Sequence, residues 1–170
     1  MNYFELFDIP VQLKVDKASL PRKFFELSRK YHPDFFVNGS DEEKLVALER
    51  SAMLNKAFKT FQDPDATIKY VLQLKGLLDE EEKYELQSDF LMEVLEINEE
   101  LMELGENKTL VPNLEIRISQ LQEEIYEPVK EIVEHYQEGA VSEKELLQVK
   151  EYYFKKKYLD RIRQQLKGMA

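Results

Sequence analysis

The chain has 170 residues, with 34 acidic against 24 basic side chains, a net charge of -10 and no cysteine. That acidity argues against general nucleic-acid binding, which rests on clustered Lys and Arg, and the lack of thiols excludes disulfides and thiolate metal sites. Only 5 glycines, no alternating Val/Ile/Thr runs and no apolar stretch of the roughly 18 residues needed to span a bilayer argue for an all-α protein that does not cross a membrane.

The opening Met1-Asn2-Tyr3-Phe4-Glu5 has neither the basic region nor the apolar run of a signal peptide, so a cytoplasmic protein is expected. Tyr3 to Phe7 is short and aromatic, and Ile9-Pro10 ends it. Leu20, Phe24, Leu27 and Tyr31 recur at helical offsets and predict one apolar face. Asp16 is one candidate cap for this helix. Pro21 is awkward in a helix that begins at Lys17, which makes Ser19 the other candidate. His32-Pro33 should stop the helix, because the residue before a proline is driven out of the α region, and Asn38-Gly39-Ser40 reads as a loop.

Ser40 or Asp41 caps a second long helix with the face Ala47, Ser51, Leu54, Phe58 and Phe61, and Asp63-Pro64-Asp65 ends it. A short helix follows from about Ala66 to Leu74, closed by Gly76. Residues 77–87 are polar and charged and read as a linker. Three helical segments remain. The first starts at a Ser88 cap and ends near Leu104-Gly105. The second runs from about Pro112 or Asn113 to Gln137, with a kink at Pro128. The third starts at the Ser142-Glu143-Lys144-Glu145 capping box and runs to about Leu166. Connections this short favour antiparallel neighbours and hence a three-helix bundle.

Charge divides the chain. Residues 1–75 hold 12 Lys and Arg against 11 acids, a net of +1, and residues 76–170 hold 12 against 23, a net of -11. Lys17, Arg22, Lys23, Arg29 and Lys30 face one acid, Glu26, giving a local +4. Arg22, Lys23, Arg29 and Lys30 lie off the apolar stripe, so one face of this helix buries and another presents positive charge. Ser88 to Glu106 holds Asp89, Glu93, Glu96, Glu99, Glu100, Glu103 and Glu106 with no Lys or Arg. Seven like charges on one helix are unfavourable unless neighbouring helices or a basic partner offset them.

His32-Pro33-Asp34 ends the basic helix. Pro33 fixes the backbone, and Asp34 offers a carboxylate for a charge-assisted bond to an arginine. As a tripeptide it could be a plain interhelical turn. Its context is more specific: Leu27-Ser28-Arg29-Lys30-Tyr31-His32-Pro33-Asp34 resembles the end of helix II and the loop of J-domains, and Leu54-Asn55-Lys56-Ala57-Phe58-Lys59-Thr60-Phe61-Gln62-Asp63-Pro64 resembles their helix III. Phe35 departs from the basic residue that many J-domains carry next. Met1-Asn2-Tyr3-Phe4-Glu5-Leu6-Phe7, Tyr70-Val71-Leu72-Gln73-Leu74-Lys75-Gly76 and Asp89-Phe90-Leu91-Met92-Glu93 are similar to the opening, the J-domain exit and the C-terminal domain of the HscB (Hsc20) family.

This resemblance implies an N-terminal J-domain at 1–76, a linker at 77–87 and a C-terminal three-helix scaffold-binding domain at 88–170. It implies that His32, Pro33, Asp34, Arg22, Lys23, Arg29 and Lys30 engage an HscA-type Hsp70 and accelerate its ATPase. It further implies that Leu91, Met92, Leu95, Glu96, Glu99, Glu103 and Tyr158 hold the iron–sulfur scaffold IscU. No cofactor, metal, nucleic acid or membrane partner is expected, and a monomer is. Read without the resemblance, Leu91 and Leu95 belong in the bundle core with the glutamates in solvent. The nearest alternative is a general J-domain co-chaperone of a broad-substrate Hsp70, although no Gly/Phe-rich or cysteine-rich segment supports it. An enzyme is disfavoured, because the only histidines, His32 and His135, are far apart in sequence and no phosphate-binding glycine loop is present.

Overall fold

The computed structural model describes residues 1–105 and 107–169, and Glu106 of the acidic run lies outside the described residues. Eight α-helices account for most of these: α1 Tyr3–Phe7, α2 Leu20–Tyr31, α3 Asp41–Gln62, α4 Pro64–Leu74, α5 Ser88–Leu104, α6 Val111–Tyr126, α7 Lys130–Glu134 and α8 Glu143–Met169. No strand occurs among the described residues, and no described helix is long and apolar enough to cross a membrane.

Local chemistry explains the helix ends. Helix α2 begins after Ser19 with Pro21 in its first turn, where the missing N–H costs nothing. Asp16 makes only a local turn, its carboxylate accepting from the Ala18 amide at 3.0 Å. The choice between the two candidate caps therefore falls to Ser19, although no side-chain bond caps the helix. Ser40 caps α3 by accepting from the Glu43 amide at 3.2 Å. Helix α4 starts at Pro64, two residues earlier than the periodicity predicts, because Asp63 accepts from both Asp65 and Ala66 amides. Gly76 lies in the left-handed region at φ 70°, just past the end of α4. Ser88 proves to be the first helical residue of α5 rather than its cap, a place taken by Gln87. The Ser142–Glu145 capping box forms in both directions, each bond 3.1 Å. Pro128 breaks the second segment of the bundle into α6, a 3-10 turn over Glu127–Val129, and α7, which stops at Glu134. Helix α8 runs past Leu166 to Met169.

Helices α2 and α3 pair as a hairpin through the stacked rings of Phe24 and Phe58, 4.2 Å apart. Helix α1 closes its base: Tyr3 stacks on Tyr70 at 4.3 Å and gives its amide to the Tyr70 hydroxyl at 2.9 Å, while Phe4 and Phe7 pack on Phe61. This is the N-terminal half, arranged as the expected J-domain would be, and α5, α6 and α8 form the helical bundle beyond it. The bundle has its own core of Phe90, Val94, Ile97, Leu101, Leu114, Ile118, Leu159 and Ile162.

The core around α1, α3 and α4 does not stop at residue 76. It continues through Leu78 into Val129, Val133, Leu146, Val149, Tyr152 and Tyr153. Three ion pairs cross the same seam: Lys14 to Glu134 at 3.3 Å, Asp65 to Lys156 at 2.9 Å, and Lys75 to Glu138. Residues 77–87, polar by composition, are held down as well. Tyr84 stacks on Phe154 at 4.7 Å and Glu82 pairs with Lys150 at 2.6 Å.

Candidate functional site

Two exposed surfaces carry the residues singled out in the sequence. On the first, Tyr31 ends α2 and its free carbonyl accepts from the Ser51 hydroxyl of α3 at 2.8 Å. That bond ties the start of the loop to the neighbouring helix and satisfies a terminal carbonyl. Pro33–Phe36 then turn as one 3-10 unit. His32 Nδ1 accepts from the Asp34 amide at 3.2 Å, and the Phe35 amide donates to the His32 carbonyl at 3.0 Å. Phe36 is half-buried. Gly39 closes it: a Cβ there would stand 2.7 Å from Glu43 Oε2 and 3.2 Å from the Phe36 carbonyl.

This arrangement leaves His32, Pro33 and Asp34 exposed, the Asp34 carboxyl 86% so. Arg22 and Arg29, seven residues apart, fall on one line of α2, and Lys23 and Lys30 on the next. Arg22 makes a weak pair with Glu26 at 3.5 Å, and Arg29 lies over the Phe25 ring. Lys23 is half-buried and the other three cations are exposed. The structure thus brings the seven predicted residues to one end and one face of the hairpin. Phe35 is 70% exposed, edge-on to His32, with Val37 exposed beside it.

The second surface is the outer face of α5. Phe90, Val94, Ile97, Leu101 and Leu104 turn into the bundle. Leu91, Met92 and Leu95 turn out, 40%, 63% and 57% exposed. The core placement of Leu91 and Leu95 read without the resemblance is therefore corrected. A helix cannot bury both stripes against two neighbours, and the Phe90 stripe is bulkier and continuous. Glu96, Glu99 and Glu103 flank the exposed stripe. Glu96 is not free, since Arg117 of α6 bonds it at 2.8 Å and also holds Glu100. No ion pair involves Glu99 or Glu103 among the described residues. Tyr158, half-buried and edge-on to Phe90, shares a cleft with Leu91. Met102 was missed in the sequence. It is 81% exposed and lies eleven residues after Leu91 and seven after Leu95, on the same line. That spacing was legible, but methionine passes for core in a helix this apolar.

Among the described residues no three His, Asp or Glu side chains gather as a metal site. A buried ion cluster at the seam is structural: burial pushes the Asp65 carboxyl up despite Lys156, while Asp160 and Asp65 together hold the Lys156 ammonium above its ordinary range against its own burial.

Residues 86–167 match the family model described as the HSCB C-terminal oligomerisation domain. A stretch of 102 residues, 59% of this chain, is 38% identical to a protein named co-chaperone protein HscB homolog from Vibrio cholerae, and 39% identical to that of another strain. The match spans 60% of the length of these relatives. Among solved structures, chaperone HscB from Vibrio cholerae superposes with a TM-score of 0.74 at 25% identity, covering 98% of this chain and 96% of that one. The human co-chaperone protein HscB superposes with a TM-score of 0.79 at 31% identity, covering 98% of this chain and 81% of that one. With a shared J-domain-plus-bundle fold, that identity over nearly the whole length and a matching C-terminal family model, the chain belongs to the HscB family.

Proposed function

We propose that this protein is a co-chaperone of iron–sulfur cluster biogenesis, which binds an IscU-type scaffold on the outer face of α5, delivers it to an HscA-type Hsp70, and stimulates that Hsp70's ATPase through the His32-Pro33-Asp34 loop. The observation that carries this reading is the pair of exposed, oppositely charged surfaces. One is the cationic α2 face ending at Asp34; the other is the apolar stripe Leu91, Met92 and Leu95 flanked by Glu99 and Glu103. Arg22, Lys23, Arg29 and Lys30 steer the Hsp70 encounter and Asp34 supplies the charge-assisted bond. An apolar centre with a charged rim is the anatomy of a specific, transient protein interface. Tyr158, beside Leu91, extends the scaffold face, while Glu96 contributes mainly through its bond to Arg117.

On this reading the chain performs no chemistry itself, needs no cofactor or metal, and acts as a cytoplasmic monomer. The association named in the family model is then hetero-association with the scaffold. The test is the Hsp70 ATPase with and without scaffold. Asp34→Asn should abolish stimulation and leave scaffold binding intact. Leu91→Ala with Leu95→Ala should do the reverse, removing only the scaffold-dependent increment. Normal stimulation by a chain that binds no scaffold would favour a general J-domain co-chaperone instead, and loss of both activities in either variant would sink the two-surface reading.

A further inference from the structure

Helix α8 carries six cations between Lys150 and Arg163, four of them in ion pairs. Between Lys150 and Arg163, Lys150 pairs with Glu82 at 2.6 Å, Lys155 with Glu151 at 3.1 Å, Lys156 with Asp65 and Asp160 at 2.9 and 2.8 Å, and Arg163 with Asp160 at 3.2 Å. Lys157 and Arg161 stand apart, exposed, with no ion pair among the described residues. These two also converge. With Lys83 they line one cleft of about 680 Å³ between residues 82–86 and α8.

The cleft is built to hold something bipolar. Tyr84 stacked on Phe154, together with Leu86, Leu91 and Tyr158, makes an apolar floor. Arg161 lies over the Tyr158 ring at 6.0 Å, which keeps its guanidinium at the mouth and leaves its N–H fork available. The acids on the rim do not cancel this charge: Glu82 is taken by Lys150, and Glu85 is one carboxylate against three cations. The cleft is continuous with the α5 face, because Leu91 and Tyr158 belong to both.

We propose that this cleft is a receptor for an acidic side chain, flanked by an apolar one, on the same scaffold that covers the Leu91 face. The inference rests on the scaffold reading of that face. The interface then has two electrostatic poles: Glu99 and Glu103 meet a basic segment, and Lys157 and Arg161 meet an acidic one. Opposite poles at the two ends fix the direction in which the partner lies along α5, which a single-sign rim does not.

The experiment is calorimetric titration of the full chain with an IscU-type scaffold, at low salt and at high salt. Neutralising the pole with Lys157→Gln and Arg161→Gln should weaken low-salt binding roughly tenfold, with both side chains too exposed to change the melting temperature. At high salt, where the Debye length shrinks to a few Å, variant and wild type should agree within about twofold. Arg161→Lys beside wild-type Lys157, which keeps the charge, should recover most of the affinity. Wild-type affinity in the neutralised double variant, with binding lost in Leu91→Ala/Leu95→Ala, overturns the cleft and leaves the scaffold face standing. Tighter binding on neutralisation overturns it too, because the partner segment is then basic. Unchanged binding in the leucine variant overturns the scaffold reading on which the inference rests.

Discussion

At the scale of single residues, the loop at Pro33–Phe36 is shaped by one bond from outside its motif and one within it. The Ser51 hydroxyl holds the Tyr31 carbonyl from across the hairpin, and the His32 ring holds the Asp34 amide from within the turn. Ser51→Ala leaves a half-buried carbonyl without its donor. It should cost about 1 kcal/mol in chemical denaturation and, if the loop stimulates an Hsp70 as proposed, also lower that stimulation, since the turn loses its tether. A variant that loses stability and keeps full stimulation would show that the loop holds its shape without Ser51. The Phe35 side chain makes no such bond. Its ring stands 70% exposed where many J-domains carry a cation, so any contact it makes is apolar.

At the scale of elements, α5 carries two stripes of opposite fate. The stripe through Phe90, Val94, Ile97, Leu101 and Leu104 is buried, and the one through Leu91, Leu95 and Met102 is exposed. Both have helical spacing, and periodicity alone does not choose between them. The acidic flank divides in the same way. Glu96 and Glu100 serve Arg117, whereas Glu99 and Glu103 have no ion pair among the described residues. Charge reversal should separate the two roles. If the α5 face binds a scaffold as proposed, Glu99→Lys should weaken that binding several-fold at low salt and leave the melting temperature within the small range of surface changes. Glu96→Lys sets a like charge against Arg117 and lowers the melting temperature as well. Equal melting temperatures for the two variants would mean that the Arg117 pair contributes nothing to stability.

At the scale of the whole molecule, the two halves share a core. Leu146, Val149, Tyr152 and Tyr153 of α8 belong to the same cluster as Phe4, Phe61 and Leu72. Thermal unfolding should therefore be one cooperative step, and Leu146→Ala should lower the same transition as Leu72→Ala, each by about 2–5 kcal/mol. Two resolved steps in calorimetry would contradict the shared core.

The shared core also sets an alkaline limit. Burial is the largest cause that raises the Tyr152 and Tyr153 hydroxyls above their ordinary value of 10.0. The native state binds those protons more tightly than the unfolded state does. Their contribution is fully present below pH 10 and is lost as pH rises through the folded values. Tyrosinate absorbance from these rings and loss of helical dichroism should therefore rise together above about pH 10. Tyrosine ionisation that completes while the helices remain intact would rule this out.

Much of the protein follows from local chemistry, and local chemistry is legible in a linear text. Prolines and caps place the helix ends to within a few residues, the apolar spacing of α2 and α3 makes the hairpin, and Pro128 breaks the bundle's second helix. The cationic face of α2 and the exposed His32-Pro33-Asp34 turn follow from the same spacing. Burial is a property of neighbours, and neighbours distant in sequence decided the rest. Which stripe of α5 faces out, which glutamates Arg117 takes, the packing of residues 77–87 against α8, and the cleft that gathers Lys157 and Arg161 all depend on helices meeting in space. So does the seam that joins the two halves, where Asp65 and Lys156, 91 residues apart, come within 2.9 Å.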